Sequence, residues 1–219
     1  MKQWNEIFKK NGKVFTKTHE DLPRVAKIFK EQKVKTVLDL GSGSGRHLIY
    51  LAKRGFASYG FDISEEGIEI TKEWLKAEGL MADLKVGSFY NCLPYSDNFF
   101  DAVISTSAIH HAKITEIRKA ISEIERVLRP KGLIFLIVRK RRFRNWSKNK
   151  IVEKYGKQKV NYKVIADRTY VPIEGGEKDL PHYLFNRALL RKEFKNFKII
   201  DIWVDKDKRH YCLLGKVKK

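Results

Sequence analysis

Between Val37 and His47 the chain reads VLDLGSGSGRH: an apolar run, then glycines at alternate positions 41, 43 and 45, then residues suited to a helix. A strand that turns on glycine into a helix lets backbone amides approach whatever lies above the turn, and this unit builds open, mostly parallel α/β sheets. The flanking sequence agrees. Thr36 to Leu40 reads as a strand, Arg46 to Lys53 as the helix after the turn, and Ala57 to Ile63 as a second strand. Ser64, followed by Glu65 and Glu66, reads as the N-cap and acidic first turn of a helix ending near Ala77. Leu84 to Phe89 and Asp101 to Thr106 are expected as the third and fourth strands. Ile114 to Leu128 carries apolar residues at helical spacing, and Leu133 to Val138 is a continuous apolar run suited to a buried parallel strand. An amphipathic helix is expected from Leu22 to Phe29, ahead of the sheet. Phe197 to Val204 and His210 to Lys216, joined by a short charged turn, are expected to pair antiparallel. The alternation predicts a doubly wound fold with helices on both faces of the sheet.

The spacing of the glycines decides what such a turn holds. A dinucleotide fingerprint, G-x-G-x-x-G, requires glycine where Arg46 or Leu48 stands, and no Gly-Lys-Ser/Thr closes the turn as a phosphate loop. Asp39 at the edge of the turn repels phosphate and attracts a cation. Asp62 ends the second strand, where the acidic residue of a nucleotide site accepts hydrogen bonds from ribose hydroxyls. An adenosine bearing a sulfonium, an ammonium and no phosphate satisfies both acids, and S-adenosylmethionine is such a molecule.

The same residues resemble the motifs of class I S-adenosylmethionine-dependent methyltransferases. VLDLGSGSG (37–45) looks like their first motif and GFDIS (60–64) their second; LPYSDNFFDAVIS (93–105) resembles the segment leading into their fourth strand, and RVLRPKG (126–132) the turn into the fifth. The run from His47 to Asp62, with Tyr170-Val-Pro, Leu180-Pro-His-Tyr183 and the terminal strand pair, is most similar to the small type 11 and tellurite-resistance-like members. The resemblance implies a Rossmann-like, mostly parallel seven-stranded sheet with an antiparallel last strand. It also implies cofactor contacts at Asp39, Gly41, Ser42, Gly43, Gly45, Asp62, Ile63, Gly87, Ser88, Phe89 and Ser105. Family members often have aspartate, for the adenine amino group, where this chain has Ser88; the Ser88 hydroxyl or the backbone around Phe89 is then left to take that role. His110 and His111, just past the fourth strand, stand where ligands meet such sheets and are the expected catalytic residues, since imidazole titrates near neutral pH. Tyr170, His182 and Tyr183 are expected to face the methyl acceptor.

Charge bears on the acceptor. The formal net charge is +20, and residues 139–168 carry twelve basic against two acidic side chains, with Phe143, Trp146, Tyr155 and Tyr162 interleaved. Basic and aromatic residues so mixed suit RNA phosphates and bases, and AIHH (108–111) also resembles wobble-uridine tRNA methyltransferases. Equally, residues 139–185 read as a lid over a small-molecule acceptor, and this is the preferred expectation. A third reading is a silent S-adenosylmethionine-binding subunit that regulates a partner. The expected organisation is a single methyltransferase domain over 1–219, with a helical segment 1–34, a cofactor-binding core 35–138, the basic insertion 139–185, and a C-terminal helix with the strand pair in 186–219. Cys92 and Cys212 form no metal or disulfide pattern, no apolar run reaches membrane-spanning length, and the first residues lack a secretory signal; a cytoplasmic protein without a membrane partner is expected.

Overall fold

The computed structural model describes residues 2–140, 151–155 and 158–219. In chain order the first half contains α1 (Lys2–Asn11), α2 (Leu22–Glu31), β1 (Thr36–Leu40), α3 (Arg46–Ala52), β2 (Ala57–Asp62), α4 (Glu65–Ala77), β3 (Asp83–Val86), β4 (Phe100–Thr106) and α5 (Ile114–Val127). The second half contains β5 (Leu128–Arg139), β6 (Ile151–Tyr155), β7 (Gln158–Ala166), β8 (Thr169–Pro172), β9 (His182–Tyr183), α6 (Arg187–Glu193), β10 (Phe197–Val204) and β11 (His210–Val217). Seven strands form one sheet in the order β3-β2-β1-β4-β5-β11-β10. The first five are mutually parallel, and β11 runs antiparallel to both β5 and β10. The doubly wound, mostly parallel seven-stranded sheet expected from the motifs is therefore present.

Period-two side-chain alternation explains how the sheet is covered on both faces. Leu38, Leu40, Val103 and Leu136 pack with Ile117, Ile121 and Ile124 of α5 and with Leu190 and Phe194 of α6. Their strand neighbours Val37, Ala102, Ile104, Phe135 and Ile137 pack instead with Leu22, Val25 and Phe29 of α2 and Leu51 of α3. Each fully buried aliphatic or aromatic side chain contributes about 1.5–3 kcal/mol. Order along the sheet matters for function. The chain leaves β1 for β2 and β3 on one side, then returns to β4 on the other, so a crevice opens between β1 and β4 at their C-terminal ends.

The elements differ from the sequence reading in three places. Strand β5 begins at Leu128, directly after α5, because RPKG is accommodated in the strand by a register shift opposite Phe100 and Ala102 and a left-handed Lys131. Strand β3 stops at Val86, short of the expected Phe89. The insertion after β5 contributes a second, antiparallel sheet, β6-β7-β8-β9, that charge and composition did not reveal. Among the described residues, no helix is long and apolar enough to cross a membrane.

Candidate functional site

A cavity of about 940 Å³ lies over the C-terminal ends of the parallel strands, floored by Gly41, Ser42, Gly43 and Asp62. Gly41 (φ 82°) follows β1 directly, and a side chain there would strike Ala108 after β4; glycine is thus required both by backbone conformation and by the closeness of the two loops. The Gly43 amide donates to Asp62 Oδ2 at 2.8 Å, and the Ser64 amide donates to Oδ1 at 2.8 Å. Asp62 thereby ties the glycine turn to the start of α4. Ser64 caps that helix, its Oγ accepting from the Gly67 amide at 3.0 Å. Burial raises the pKa of Asp62, and the backbone donors at Ser64, Gly43 and Ile63 oppose the rise. Its oxygens keep further acceptor capacity towards the cavity, since each has two lone pairs.

Asp39 sits beneath the turn rather than in the cavity wall. It is fully buried, and neither oxygen has a hydrogen bond of ordinary geometry. Burial pushes its pKa up to about 7, with the Arg46 guanidinium and the Leu48 backbone opposing and Asp62 reinforcing the rise. Ser42 Oγ is a further buried oxygen without a hydrogen bond, and Ser42 does line the cavity. An unsatisfied carboxylate under a turn of accessible amides fits a cationic ligand with a sugar, which is the chemistry of S-adenosylmethionine.

Of the residues expected to contact a cofactor, Gly41, Ser42, Gly43, Asp62, Ile63, Ser88 and Phe89 line the cavity. Gly45 instead abuts Thr71, Gly87 abuts the Phe61 ring, and Ser105 donates from Oγ to the Leu40 carbonyl at 2.8 Å, joining β4 to β1. His110, His111 and His182 all line the opposite wall. Tyr170 and Tyr183 lie behind it: Tyr170 stacks on His182 with ring centroids 5.1 Å apart, and the Tyr183 amide donates to the His110 carbonyl at 2.8 Å. The two tyrosines thus position His182 against the loop after β4.

Burial is the leading cause that lowers the pKa of each of these three imidazoles, well below the usual value for His110 and His182 and to about 4 for His111. The charge of Arg139, buried at the end of β5, adds to the lowering at all three, while the Pro181 and Ser107 backbone opposes it at His111. All three are neutral at pH 7, and all accept a proton reluctantly.

Two features of the site escaped the sequence reading. All six histidines of the chain line this one cavity, and His19, His47 and His210 were not expected there. Two of them have defined partners. His47 Nε2 accepts from the His19 amide at 3.2 Å, so its Nδ1 carries the proton and pairs with Thr106 Oγ1 at 2.7 Å. His210 Nδ1 lies 2.7 Å from Asp205 Oδ2, and Asp205 Oδ1 also accepts the His210 and Arg209 amides. Although burial opposes it, those hydrogen bonds hold Asp205 down to about 2. A carboxylate that orients an imidazole at a cavity wall is the arrangement of a general base. Helix α1 was also unforeseen as a wall: Trp4 and Phe8 line the cavity, and Trp4 meets His111 edge-on at 5.3 Å.

Comparison with known proteins agrees with this geometry. The profile of a family described as "Methyltransferase domain" matches residues 38–136. Norajmaline N-methyltransferase of Rauvolfia serpentina is 34% identical over 119 residues, covering 52% of this chain and 40% of that protein. A probable tRNA methyltransferase 9B of Mus musculus is 34% identical over 118 residues, covering 53% of this chain and 24% of that one. In both, the match spans less than half of the relative's length. Among solved structures, the PH0226 protein of Pyrococcus horikoshii OT3 superposes with a TM-score of 0.71 at 21% identity, over 97% of this chain and 99% of that one.

Proposed function

We propose that the chain, whose residues 38–136 match the methyltransferase-domain family, binds S-adenosylmethionine and methylates a small molecule enclosed in the cavity. The observation that carries this reading is the unpartnered, buried Asp39 carboxylate beneath the glycine turn, with Asp62 beside it. Bound there, the cofactor supplies a methyl group on a positively charged sulfur, open to in-line attack.

The chain's own residues then have separable tasks. Amides of the turn and Ser42 Oγ hold the amino-acid end, and Asp39, from beneath, offsets its positive charge. Asp62 accepts from the ribose hydroxyls, and Ser88 with Phe89 borders the adenine. The wall formed by His110, His111, His182 and Trp4 holds the acceptor and excludes water, and orientation of this kind supplies much of the rate in a displacement, up to ~7 kcal/mol or more. Where the acceptor must lose a proton, His210, oriented by Asp205, takes it. His110 and His111, expected as bases from the sequence, serve better as neutral contacts to the acceptor, because burial makes each a weak base.

A small acceptor is favoured because residues 177 and 179–182 and helix α1 both border the cavity and meet through the hydrogen bond from Gln3 Nε2 to the Lys178 carbonyl. The RNA reading rests on the basic stretch from 139 to 168, and much of that stretch, including Arg141, Arg142 and Arg144, lies outside the described residues. Calorimetry tests the cofactor reading directly: S-adenosylhomocysteine is expected to bind and NAD not to. Tighter binding of NAD overturns it.

A further inference from the structure

Outside the cofactor floor, the cavity holds a cluster whose chemistry methyl transfer does not require. His110, His111 and His182 each bring one ring nitrogen into a group in which all three lie within 4.8 Å of one another. Their rings are close, with centroids 4.4 Å apart for His110 and His111, 4.6 Å for His111 and His182, and 5.9 Å for His110 and His182. Nδ1 of all three, and also Nε2 of His182, is buried without a hydrogen bond. His110 is 2% and His182 3% exposed. Buried polar atoms are rarely left so, and three adjoining neutral rings, each with one lone pair to give, point to a ligand that accepts lone pairs.

We propose that His110, His111 and His182 form a binding site for one divalent transition-metal ion of the zinc type, facing the acceptor end of the cavity. Three neutral imidazoles that leave a coordination position open are a donor set such an ion takes, and imidazole suits zinc and its late first-row neighbours rather than magnesium or calcium. Zinc–nitrogen bonds of about 2.0–2.1 Å in tetrahedral geometry bring ligating nitrogens to about 3.3 Å from one another. The cluster therefore contracts by rotation of its rings on binding. His182 can follow because it is held by ring stacking on Tyr170 and by the backbone of β9, and its one close polar neighbour, Glu177, is itself half exposed. Two charges bear on the site. Glu177 Oε2, 3.4 Å from His182 Nε2, favours a cation, and the Arg139 guanidinium opposes one.

The other close group of ligand-type side chains among the described residues, His19, Asp21 and Cys212, lacks this character. Asp21 Oδ2 already takes the Trp203 indole N–H at 2.9 Å and the Cys212 thiol at 3.6 Å, and His19 Nδ1 accepts the Asp21 amide at 3.3 Å. It serves as the control.

The experiment uses the full chain, stripped with a chelator and titrated with cobalt(II), followed by visible d–d absorption and by competition with zinc. One equivalent is expected to bind, with the intense bands of a tetrahedral site. His182→Gln and, separately, the more exposed His111→Gln are each expected to weaken binding at least 100-fold. Glu177→Gln is expected to weaken it about 10-fold, as for carboxylates beside metal-bound histidine, and Asp21→Asn to leave it unchanged. Calorimetry with S-adenosylhomocysteine on the stripped chain and on each variant checks that the fold and cofactor floor persist, and reports on the cofactor reading separately. Absence of bands at millimolar cobalt overturns the metal site, as does unaltered binding in both histidine variants or its loss in Asp21→Asn.

Discussion

Asp39 is the residue on which the site's electrostatics turn. Its pKa is raised in the folded chain, from 3.8 to about 7, so the unfolded chain ionises it first. Its contribution to stability is therefore fully present below about pH 4 and is lost as pH rises through 7. The loss amounts to about 4 kcal/mol in the ligand-free chain, at 1.36 kcal/mol per pH unit. Asp39→Asn is expected to unfold at higher urea than the parent at pH 8, with the advantage vanishing near pH 4, while binding S-adenosylhomocysteine more weakly. A urea midpoint difference that does not change with pH refutes this. For His210, replacement by Gln removes the imidazole that Asp205 orients; turnover should fall about 10²-fold with cofactor affinity intact. Equal turnover would leave the acceptor as a nucleophile needing no base. The position of Gly41, Gly43 and Asp62 at the floor of the cavity follows from short fixed spacings in the sequence. The His210–Asp205 pair was not legible there, because its bearing on the site arises only when β11 pairs beside β5 and brings His210 opposite Arg139.

Among the elements, the strands and helices of the main sheet were read closely because each carries a clear period. α5 is the strongest case: Ile117, Ala120, Ile121, Ile124 and Val127 are all buried on its inner face. Ile124 is fully buried against the sheet, and Ile124→Ala is expected to cost about 2–5 kcal/mol, through lost burial and the void left behind. Urea denaturation measures it, and a cost below about 1 kcal/mol means that the helix collapses into the gap. The small sheet β6-β7-β8-β9 was not legible. β6, β8 and β9 have only five, four and two residues, so alternation in them is too brief to register, and in the nine-residue β7 Lys159 and Lys163 read as members of the basic run. Its place in the molecule is set by tertiary bonds instead, the Tyr183 amide to the His110 carbonyl and the Phe185 amide to the Arg139 carbonyl at the end of β5.

For the whole molecule the governing quantity is a formal net charge of +20. Such a charge attracts polyanions whether or not they are substrates, so affinity for RNA has to be judged by its dependence on salt. On the small-molecule reading, tRNA binding should be indifferent to sequence and nearly gone by ~0.2 M salt. Replacing Arg141, Arg142 and Arg144 together by Gln should flatten the log–log salt slope by about one unit for every phosphate left without a cation, yet leave methylation of the true acceptor untouched. Tight, saturable binding of tRNA at that salt, abolished in the triple variant, would make RNA the acceptor.

Helix α1 joins two parts of the site that are distant in sequence. Asn5 Oδ1 accepts from Ser64 Oγ at 3.0 Å and from the Glu66 amide at 2.9 Å, while Gln3 Nε2 donates to the Lys178 carbonyl at 3.1 Å. The same Ser64 donates its amide to Asp62. Docking of α1 and occupancy of the cofactor floor are for that reason linked equilibria, and linkage is reciprocal. Whatever factor the seated helix adds to cofactor affinity, the bound cofactor returns as a lower probability of the helix lifting away. Amide hydrogens in α1 that exchange only when the helix lifts should then exchange more slowly in the complex by that same factor.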